Sequence, residues 1–300
     1  MNYRHFLKQA AEEIEKKLLE QRVACEVTVT EVEKLQNQSY QGILIRTKGK
    51  NIGANLNLMP YWQRLENGFS YQQIIGEIVL ESLSMLEEIP DLEAGIPLTY
   101  EEVKNRLMFQ IVSSEDNQKV LAGLPHLELE DMSIVFRVDM GAEPDGNTSA
   151  PVTNDMMEYY GVTLDQLKED TEKVAPVTHP AVFRRLDLIL KELSGGLFPE
   201  EESEKYPIYV VSTEAMNYGA AVICYPGFLQ EAAEKLESDY FLLLSSIHEM
   251  ILIKDDGNMN AEELSQMVRE VNETEVKTED KLTDSVYFYN RKKQLLKRVE

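Results

Sequence analysis

The sequence predicts an α+β fold in two parts, each a mainly antiparallel sheet with helices packed on it. Three observations predict this fold class. Segments with apolar residues at every third or fourth position alternate with short β-branched runs of period two. From Tyr206 onward two strands precede each helix, and a turn-rich segment interrupts the pattern near the middle of the chain. At 300 residues the chain exceeds the usual size of one domain, so two domains are expected.

The first part begins with a helix predicted over residues 3–22, because its apolar residues share one face. Three strands follow, then a long helix, then mixed elements that end in a strong strand. The strands are "VACEVTVTEV", "QGILIRT" and "GANLNLM", the long helix is "SYQQIIGEIVLESLSMLEEI", and the last strand is "MSIVFRVDM".

A turn-rich segment, "GAEPDGNTSAP", spans residues 141–151. Gly, Pro, Asp, Asn and Ser set turns and break both periodicities. The predicted organisation is therefore an N-terminal α+β domain over 1–140, a linker over 141–151 and a C-terminal α+β domain over 152–300.

The C-terminal domain is predicted to open with three helices and then to use a strand-strand-helix order twice, with the helices on one face of the sheet. A closing hairpin, "SVYFYNRKKQLLKRV", follows the second unit. The three helices are "TNDMMEYYG", "TLDQLKEDTEKV" and "PAVFRRLDLILKEL"; the first unit is "YPIYVVST", "GAAVICYP" and "GFLQEAAEKLES".

The net charge limits the expected partners. With 53 acidic and 30 basic residues, the chain has a formal charge of −23. A field of this sign repels phosphate backbones and anionic lipid surfaces, so neither direct nucleic-acid binding nor membrane binding is expected. The main exception is the basic segment 291–298, "RKKQLLKR", which a charged last strand explains equally well.

Cysteine usage and the N-terminal composition favour the cytoplasm. Cys25 and Cys224 each lie in an apolar alternating run, and two such residues exclude a disulfide framework. Residues 1–20 are charged throughout and lack the apolar core of a signal peptide. No run approaches the ~18 apolar residues of a membrane span.

The stretch "DYFLLLSSIHEMILIKDDG", residues 239–257, holds a Ser, a His and a Glu close together. It is too long for one strand, so a hairpin that turns near Ser245 and Ser246 is predicted. On a second strand through Ile247, the side chains of His248 and Glu249 would point to opposite faces and could not act as an adjacent acid–base pair.

Common catalytic and metal-binding motifs are not complete in this chain. The G-x-S-x-G turn of a serine nucleophile is absent, and "HEMIL" has Leu252 where an H-E-x-x-H zinc motif needs its second His. No phosphate-binding glycine motif occurs. The sequence therefore predicts no cofactor and no metal.

Several segments together resemble one family, the domain-of-unknown-function family 5688, over nearly all 300 residues. They include "GILIRTKGKNIGANLNLMPYW", "LPHLELEDMSIVFRV", "YGAAVICYPGFLQEAAEKL" and "YFLLLSSIHEMILIKDDG". The resemblance implies a bacterial cytoplasmic protein of the kind found mainly in gut anaerobes, and assigns no catalytic residue. It also implies an apolar-Pro-Ser-Ser-apolar-His-Glu run, in which Leu244 here replaces the proline.

The leading hypothesis is a non-enzymatic protein-binding or regulatory protein that acts through its acidic surface and exposed strand edges. One variant of it is a mimic of nucleic-acid charge that occupies a DNA-binding partner. The alternative is a hydrolase or transferase whose site forms around the polar residues of the stretch with a neighbouring tyrosine. Its candidate residues are Ser245, Ser246, His248, Glu249, Tyr218 and Tyr225.

Overall fold

Helices and antiparallel sheets both contribute to the fold, which confirms the predicted α+β class. The chain forms two compact units, unit 1 from residues 1–34 and 38–98 and unit 2 from residues 35–37 and 99–300. The structure is a computed structural model, and it describes residues 2–36, 38–48, 53–88, 99–143, 146–195, 208–257 and 260–299.

Unit 1 is a three-stranded antiparallel sheet, in the order β1-β2-β3, with helices packed against it. The predicted apolar face of the first helix is buried, and Asn2 caps the helix by accepting a hydrogen bond from the His5 amide. In chain order the elements are α1 Tyr3–Glu20, β1 Cys25–Glu33, β2 Ser39–Thr47, β3 Gly53–Asn57, α2 Met59–Glu66 and α3 Tyr71–Glu88.

Unit 2 holds the candidate site residues and contains a four-stranded and a six-stranded sheet. Its first elements are α4 Tyr100–Val103, β4 Leu107–Ser113, α5 Gln118–Leu121, β5 His126–Leu129, β6 Met132–Glu143, β7 Gly146–Pro151, α6 Asn154–Tyr160 and α7 Leu164–Thr178. The later ones are β8 Ala181–Arg185, α8 Leu186–Leu193, β9 Ile208–Thr213, α9 Phe228–Leu236, β10 Tyr240–Leu243, β11 Met250–Lys254, α10 Ala261–Thr274, β12 Val286–Asn290 and β13 Leu295–Val299.

The segment predicted as a linker, 141–151, differs in the structure. Its described residues form the end of β6 and all of β7, which pair as a hairpin in the four-stranded sheet. Pro144 and Asp145 lie outside the described residues. Gly, Asp and Asn are favoured in hairpin turns as well as in domain linkers, so the composition of this segment is typical of both. Along the chain, the residues assigned to unit 1 end at 98 and those of unit 2 resume at 99.

The six-stranded sheet has the order β13-β12-β10-β11-β9-β8. Two predictions that concern this sheet are corrected, one of a strand and one of a helix. The run predicted as a strand after β9 is a 3-10 helix, Gly219–Cys224, and the predicted helix "PAVFRRLDLILKEL" begins with strand β8 before α8. Strand β8 pairs with β9 and so supplies the pairing that was expected from the 3-10 segment.

Helices cover both faces of this sheet rather than one. Tyr240 and Tyr289 are register partners on one face, and their hydroxyls bond to Leu229 and Gln230 of α9. Their neighbours along the strands point to the opposite face, where an apolar cluster includes side chains of α10. That cluster contains Phe241, Leu243, Ile253, Leu264, Val268 and Val286. The strands are apolar on both faces because both are covered.

Candidate functional site

The connection between β10 and β11 contains four of the six predicted site residues, and it is not a tight hairpin turn. Strand β11 begins at Met250, so the prediction of a strand from Ile247 was wrong. The backbone here bonds to residues 280–282 instead: the Leu282 amide donates to the Ser245 carbonyl at 2.8 Å and the Ile247 amide to the Asp280 carbonyl at 2.9 Å. The alternation that would separate His248 from Glu249 therefore does not apply.

Both ring nitrogens of His248 make polar contacts with neighbouring residues. Its Nε2 lies 3.1 Å from the Asp280 carboxylate, and its Nδ1 accepts a hydrogen bond from the Tyr218 amide at 3.4 Å. This pattern fits the neutral tautomer with the proton on Nε2. The ring is 31% exposed and lies nearly parallel to the Tyr218 ring, with centroids 6.1 Å apart. His248 is thus oriented by its neighbours and only partly shielded from solvent.

The two serines belong to the structure of the loop. Ser245 and Ser246 are 7% and 4% exposed. The Ser246 hydroxyl accepts a hydrogen bond from the His248 amide at 3.0 Å, which is a local turn bond. Glu249 is partly buried and lies directly before β11. With both imidazole nitrogens engaged by other groups, this geometry does not hold a serine hydroxyl on the His248 ring.

Tyr218 lies beside His248 because of a tightly packed turn after β9. Both Met216 and Tyr218 have left-handed backbone conformations, each with φ of 51°. Gly219 follows, and a Cβ at this position would overlap the His248 carbonyl and the Ser212 hydroxyl. The Ser212 hydroxyl donates to that carbonyl at 2.7 Å. Non-glycine residues adopt positive φ where the surroundings enforce it, so this contact fixes the ring of Tyr218.

The other predicted tyrosine makes a separate contact. The Tyr225 hydroxyl donates to the backbone carbonyl of His179 at 2.7 Å, and burial raises the pKa of Tyr225. The Nε2 atom of His179 lies 3.4 Å from the carboxylate of Asp139. Of the two tyrosines considered, Tyr218 is therefore the one that contacts His248.

Two neighbours of His248 and Tyr218 were not identified from the sequence. Asp280 lies 32 positions after His248, in a segment rich in carboxylates. The sequence therefore does not indicate which of these carboxylates contacts the histidine. Arg137 lies on β6, and its guanidinium is 5.2 Å from the centre of the Tyr218 ring. An arginine in an alternating strand resembles any solvent-facing residue, so no sequence signal marked it.

A second feature is an open groove of about 680 Å³ beside β13. It lies next to the beginning of α10, on the sheet face that carries the apolar cluster. Its apolar lining is Phe241, Ala261, Phe288 and Val299, and its charged lining is Asp255, Lys297 and Arg298. Because Lys297 is the register partner of Phe288, the two side chains share a face. The groove thus combines an apolar floor with the basic side chain of Lys297 at one edge, whereas the guanidinium of Arg298 lies 3.8 Å from the Asp131 carboxylate.

Within the part of the chain that the structure describes, no three His, Cys, Asp or Glu side chains are grouped closely enough to hold a metal ion. None of the helices in the described ranges has the length and apolarity needed to cross a membrane. Cys25 and Cys224 are both free thiols.

Comparison with known proteins identifies the family of the chain. Neither curated proteins nor solved structures match the chain significantly. The model of the family of unknown function DUF5688 matches residues 3–291, which covers both units. The chain therefore belongs to the DUF5688 family, as its sequence motifs predicted.

Proposed function

We propose that this chain is a bacterial, cytoplasmic protein-binding or regulatory protein that binds an extended acidic segment of a partner protein along strand β13. The observation that supports this most is the combination at β13 of an open sheet edge, an apolar groove and the exposed Lys297 on the groove face. The family resemblance supports the bacterial origin, and the free thiols Cys25 and Cys224 are compatible with a reducing compartment.

The open edge supplies the backbone contacts. Strand β13 is the outermost strand of the six-stranded sheet and pairs on one side with β12. On its other side no strand of the described ranges is paired with it. An edge strand presents N–H and C=O groups to which an extended peptide adds as a further strand.

The groove supplies selectivity for side chains. Phe241 and Phe288, with ring centroids 5.0 Å apart, form an apolar floor that fits alternate side chains of an added strand. Lys297 projects on the same face and is exposed. Carboxylates two positions from an apolar anchor, on the same face of the added strand, would lie near this ammonium group, whereas basic residues there would be repelled.

The location of the positive charge favours an acidic partner over nucleic acid. The chain has a net charge of −23, but the segment 291–298 is locally basic, with five Lys or Arg among its eight residues. Since charges are screened over about 8 Å at physiological salt, this strip attracts an acidic segment at contact distance. The phosphate backbone of a duplex would extend beyond the segment 291–298 and be repelled by the acidic surface around it.

Binding of synthetic nine-residue peptides, measured by fluorescence anisotropy, tests this proposal. A peptide in which valine and glutamate alternate on one face, Val-Thr-Glu-Thr-Val-Thr-Glu-Thr-Val, is expected to bind, and the same peptide with lysine for glutamate is not. Lys297→Glu should weaken binding at least about tenfold, the effect of losing and reversing one close charge contact. Lys292→Glu makes the same change of net charge in the turn before β13 and is the matched control. The proposal fails if neither peptide binds, or if both variants weaken binding equally.

A hydrolase or transferase centred on His248 is the second candidate function. The pairing of His248 with Asp280 favours it, because an oriented imidazole is a common general base. The engagement of its Nδ1 by the Tyr218 amide and the burial of both serines count against it. Turnover of screened ester and phosphoester substrates that is lost in His248→Ala, with the fold intact, would favour this candidate over the binding function.

A further inference from the structure

Arg137 is a partly buried cation whose hydrogen bonds all go to neutral acceptors. Its Nε donates to the Ser149 hydroxyl at 2.8 Å, its Nη1 to Gln110 Oε1 at 3.0 Å and its Nη2 to the Ser149 carbonyl at 2.6 Å. A guanidinium has five N–H groups. Within the described residues, two of these N–H groups, one on each Nη atom, make no hydrogen bond. They can donate to a further acceptor.

The charge of Arg137 is not matched by a carboxylate within the described part of the chain. Asp139 lies two positions along β6 on the same face, but its carboxylate accepts from the Gly141 amide at 2.8 Å and faces His179 at 3.4 Å. Burial lowers the pKa of Arg137, which reflects the same desolvation. Charged groups removed from water are normally paired with an opposite charge. Arg137 has no such partner among the described residues, although the chain contains 53 acidic residues.

The surroundings of Arg137 are built from distant parts of unit 2 that contact one another. The Tyr218 ring covers the guanidinium at 5.2 Å, and its backbone is fixed by the contact of Gly219 with His248. The His248 ring is stacked on Tyr218 and is itself held by Asp280. An arginine oriented in this way by a ring and by three hydrogen bonds is preorganised for a ligand.

We propose that Arg137 binds a small oxyanion, the carboxylate or phosphate group of a metabolite, through its two remaining N–H groups beneath the ring of Tyr218. The planar guanidinium matches two oxygens of such a group, and the anion supplies the charge that the protein does not. This site lies on the face of β6, whereas the peptide site lies at β13, so each is tested independently of the other.

The long-range field of the chain gives this site a distinctive salt dependence. A net charge of −23 repels anions at a distance, so affinity must come from contacts made at the site. Raising the chloride concentration from 0.05 to 0.2 M is therefore expected to change the affinity less than about threefold. An affinity that falls steeply with salt would instead indicate adsorption to exposed lysines and would overturn the proposal.

Isothermal titration with inorganic phosphate and, separately, with acetate tests the site on the full chain. Binding of phosphate alone points to a phosphorylated metabolite, binding of acetate alone to a carboxylic acid, and binding of both to the shared oxyanion chemistry. Arg137→Gln should weaken binding at least about tenfold. The matched control is Arg46→Gln, which removes one cation from an exposed ion pair with Glu26 and should leave binding unchanged.

A second variant keeps the test valid if Arg137→Gln does not fold. Arg137→Lys retains the charge but not the fork of N–H groups, and should also weaken binding about tenfold while the protein remains folded. The site is refuted if neither anion binds below about 10 mM, or if Arg137→Lys and Arg46→Gln both bind like the unmodified chain.

Discussion

The carboxylate of Asp131, in the turn between β5 and β6, accepts a hydrogen bond from the hydroxyl of Tyr287 in β12. The hydroxyls of Thr283 and Ser285 donate to the same carboxylate at 3.0 and 2.8 Å. These bonds connect the four-stranded sheet to the six-stranded sheet over more than 150 positions of sequence. One carboxylate thereby joins the two sheets of unit 2.

Removing this carboxylate is expected to destabilise unit 2. Asp131→Ala leaves three hydroxyls without their shared acceptor, and should lower the free energy of unfolding by about 2–3 kcal/mol. Tyr287→Phe removes one donor and should cost about 1 kcal/mol. Both are measured by urea unfolding. Glu128→Ala, at an exposed position of β5, should change the stability by less than about 0.5 kcal/mol. Equal effects of Asp131→Ala and Glu128→Ala would contradict the connecting role.

The same pair should make stability depend on pH at both ends of the scale. Burial disfavours the charged form of Asp131, but the bonds from Tyr287, Ser285 and Thr283 outweigh it, so the pKa of Asp131 is below its ordinary value. Its stabilisation is present above about pH 4 and is lost as the pH falls through the lowered pKa.

Burial and the neighbouring Asp131 raise the pKa of Tyr287. Its stabilisation is therefore present below the ordinary tyrosine value near 10 and decreases as the pH rises above it. Urea unfolding of the unmodified chain and of Asp131→Asn from pH 2 to pH 8 checks the acidic limb, where the difference between the two should diminish. A difference that stays constant down to pH 2 would show that folding does not lower the pKa of Asp131.

Gly219→Ala is expected to destabilise unit 2 by about 2–3 kcal/mol, since the added Cβ overlaps the His248 carbonyl and the Ser212 hydroxyl. Gly123→Ala is the matched control, because the nearest atom to its Cβ, the Val120 carbonyl oxygen, lies at 3.6 Å. Thermal unfolding of both variants gives the comparison. Similar midpoints would show that the loop moves aside, and that Tyr218 is less firmly held than the contacts indicate.

The pairing of His248 with Asp280 is expected to stabilise the loop that contains Ser245 and Ser246. His248→Ala and Asp280→Asn should each lower the free energy of unfolding by about 1 kcal/mol. Because they remove the same interaction, the double variant should cost less than the sum of the two. Glu279→Gln, at the exposed neighbouring position, is the control for lost charge. Strict additivity of His248→Ala and Asp280→Asn would argue against a direct interaction.

Both thiols are expected to react slowly with a soluble disulfide reagent. Burial raises the pKa of Cys25 and of Cys224, so little thiolate forms at pH 8. Release of thionitrobenzoate from the folded chain should be at least about tenfold slower than from a short cysteine peptide, and should match that rate in 6 M guanidinium chloride. Fast reaction of one thiol in the folded chain would place it at the surface.

Much of the fold was predictable because local patterns determined it. The apolar face of α1 and the alternation in β1 and β2 are properties of neighbouring residues, and burial of one face follows from them. The elements predicted incorrectly are those whose backbone partners are distant. Gly219–Cys224 has the composition of a strand, yet it is a 3-10 helix that packs on the loop of His248.

The sequence by itself determined the α+β class, the family and the acidic character of the chain, because composition and local periodicity suffice for these. Tertiary structure alone decided which polar side chains meet. It placed Asp280 on His248 and Tyr218 over Arg137, and it left β13 at the edge of its sheet. Such pairings depend on how segments 30 to 150 residues apart come together in the fold. The spacing of side chains along the sequence does not predict which distant segments become neighbours.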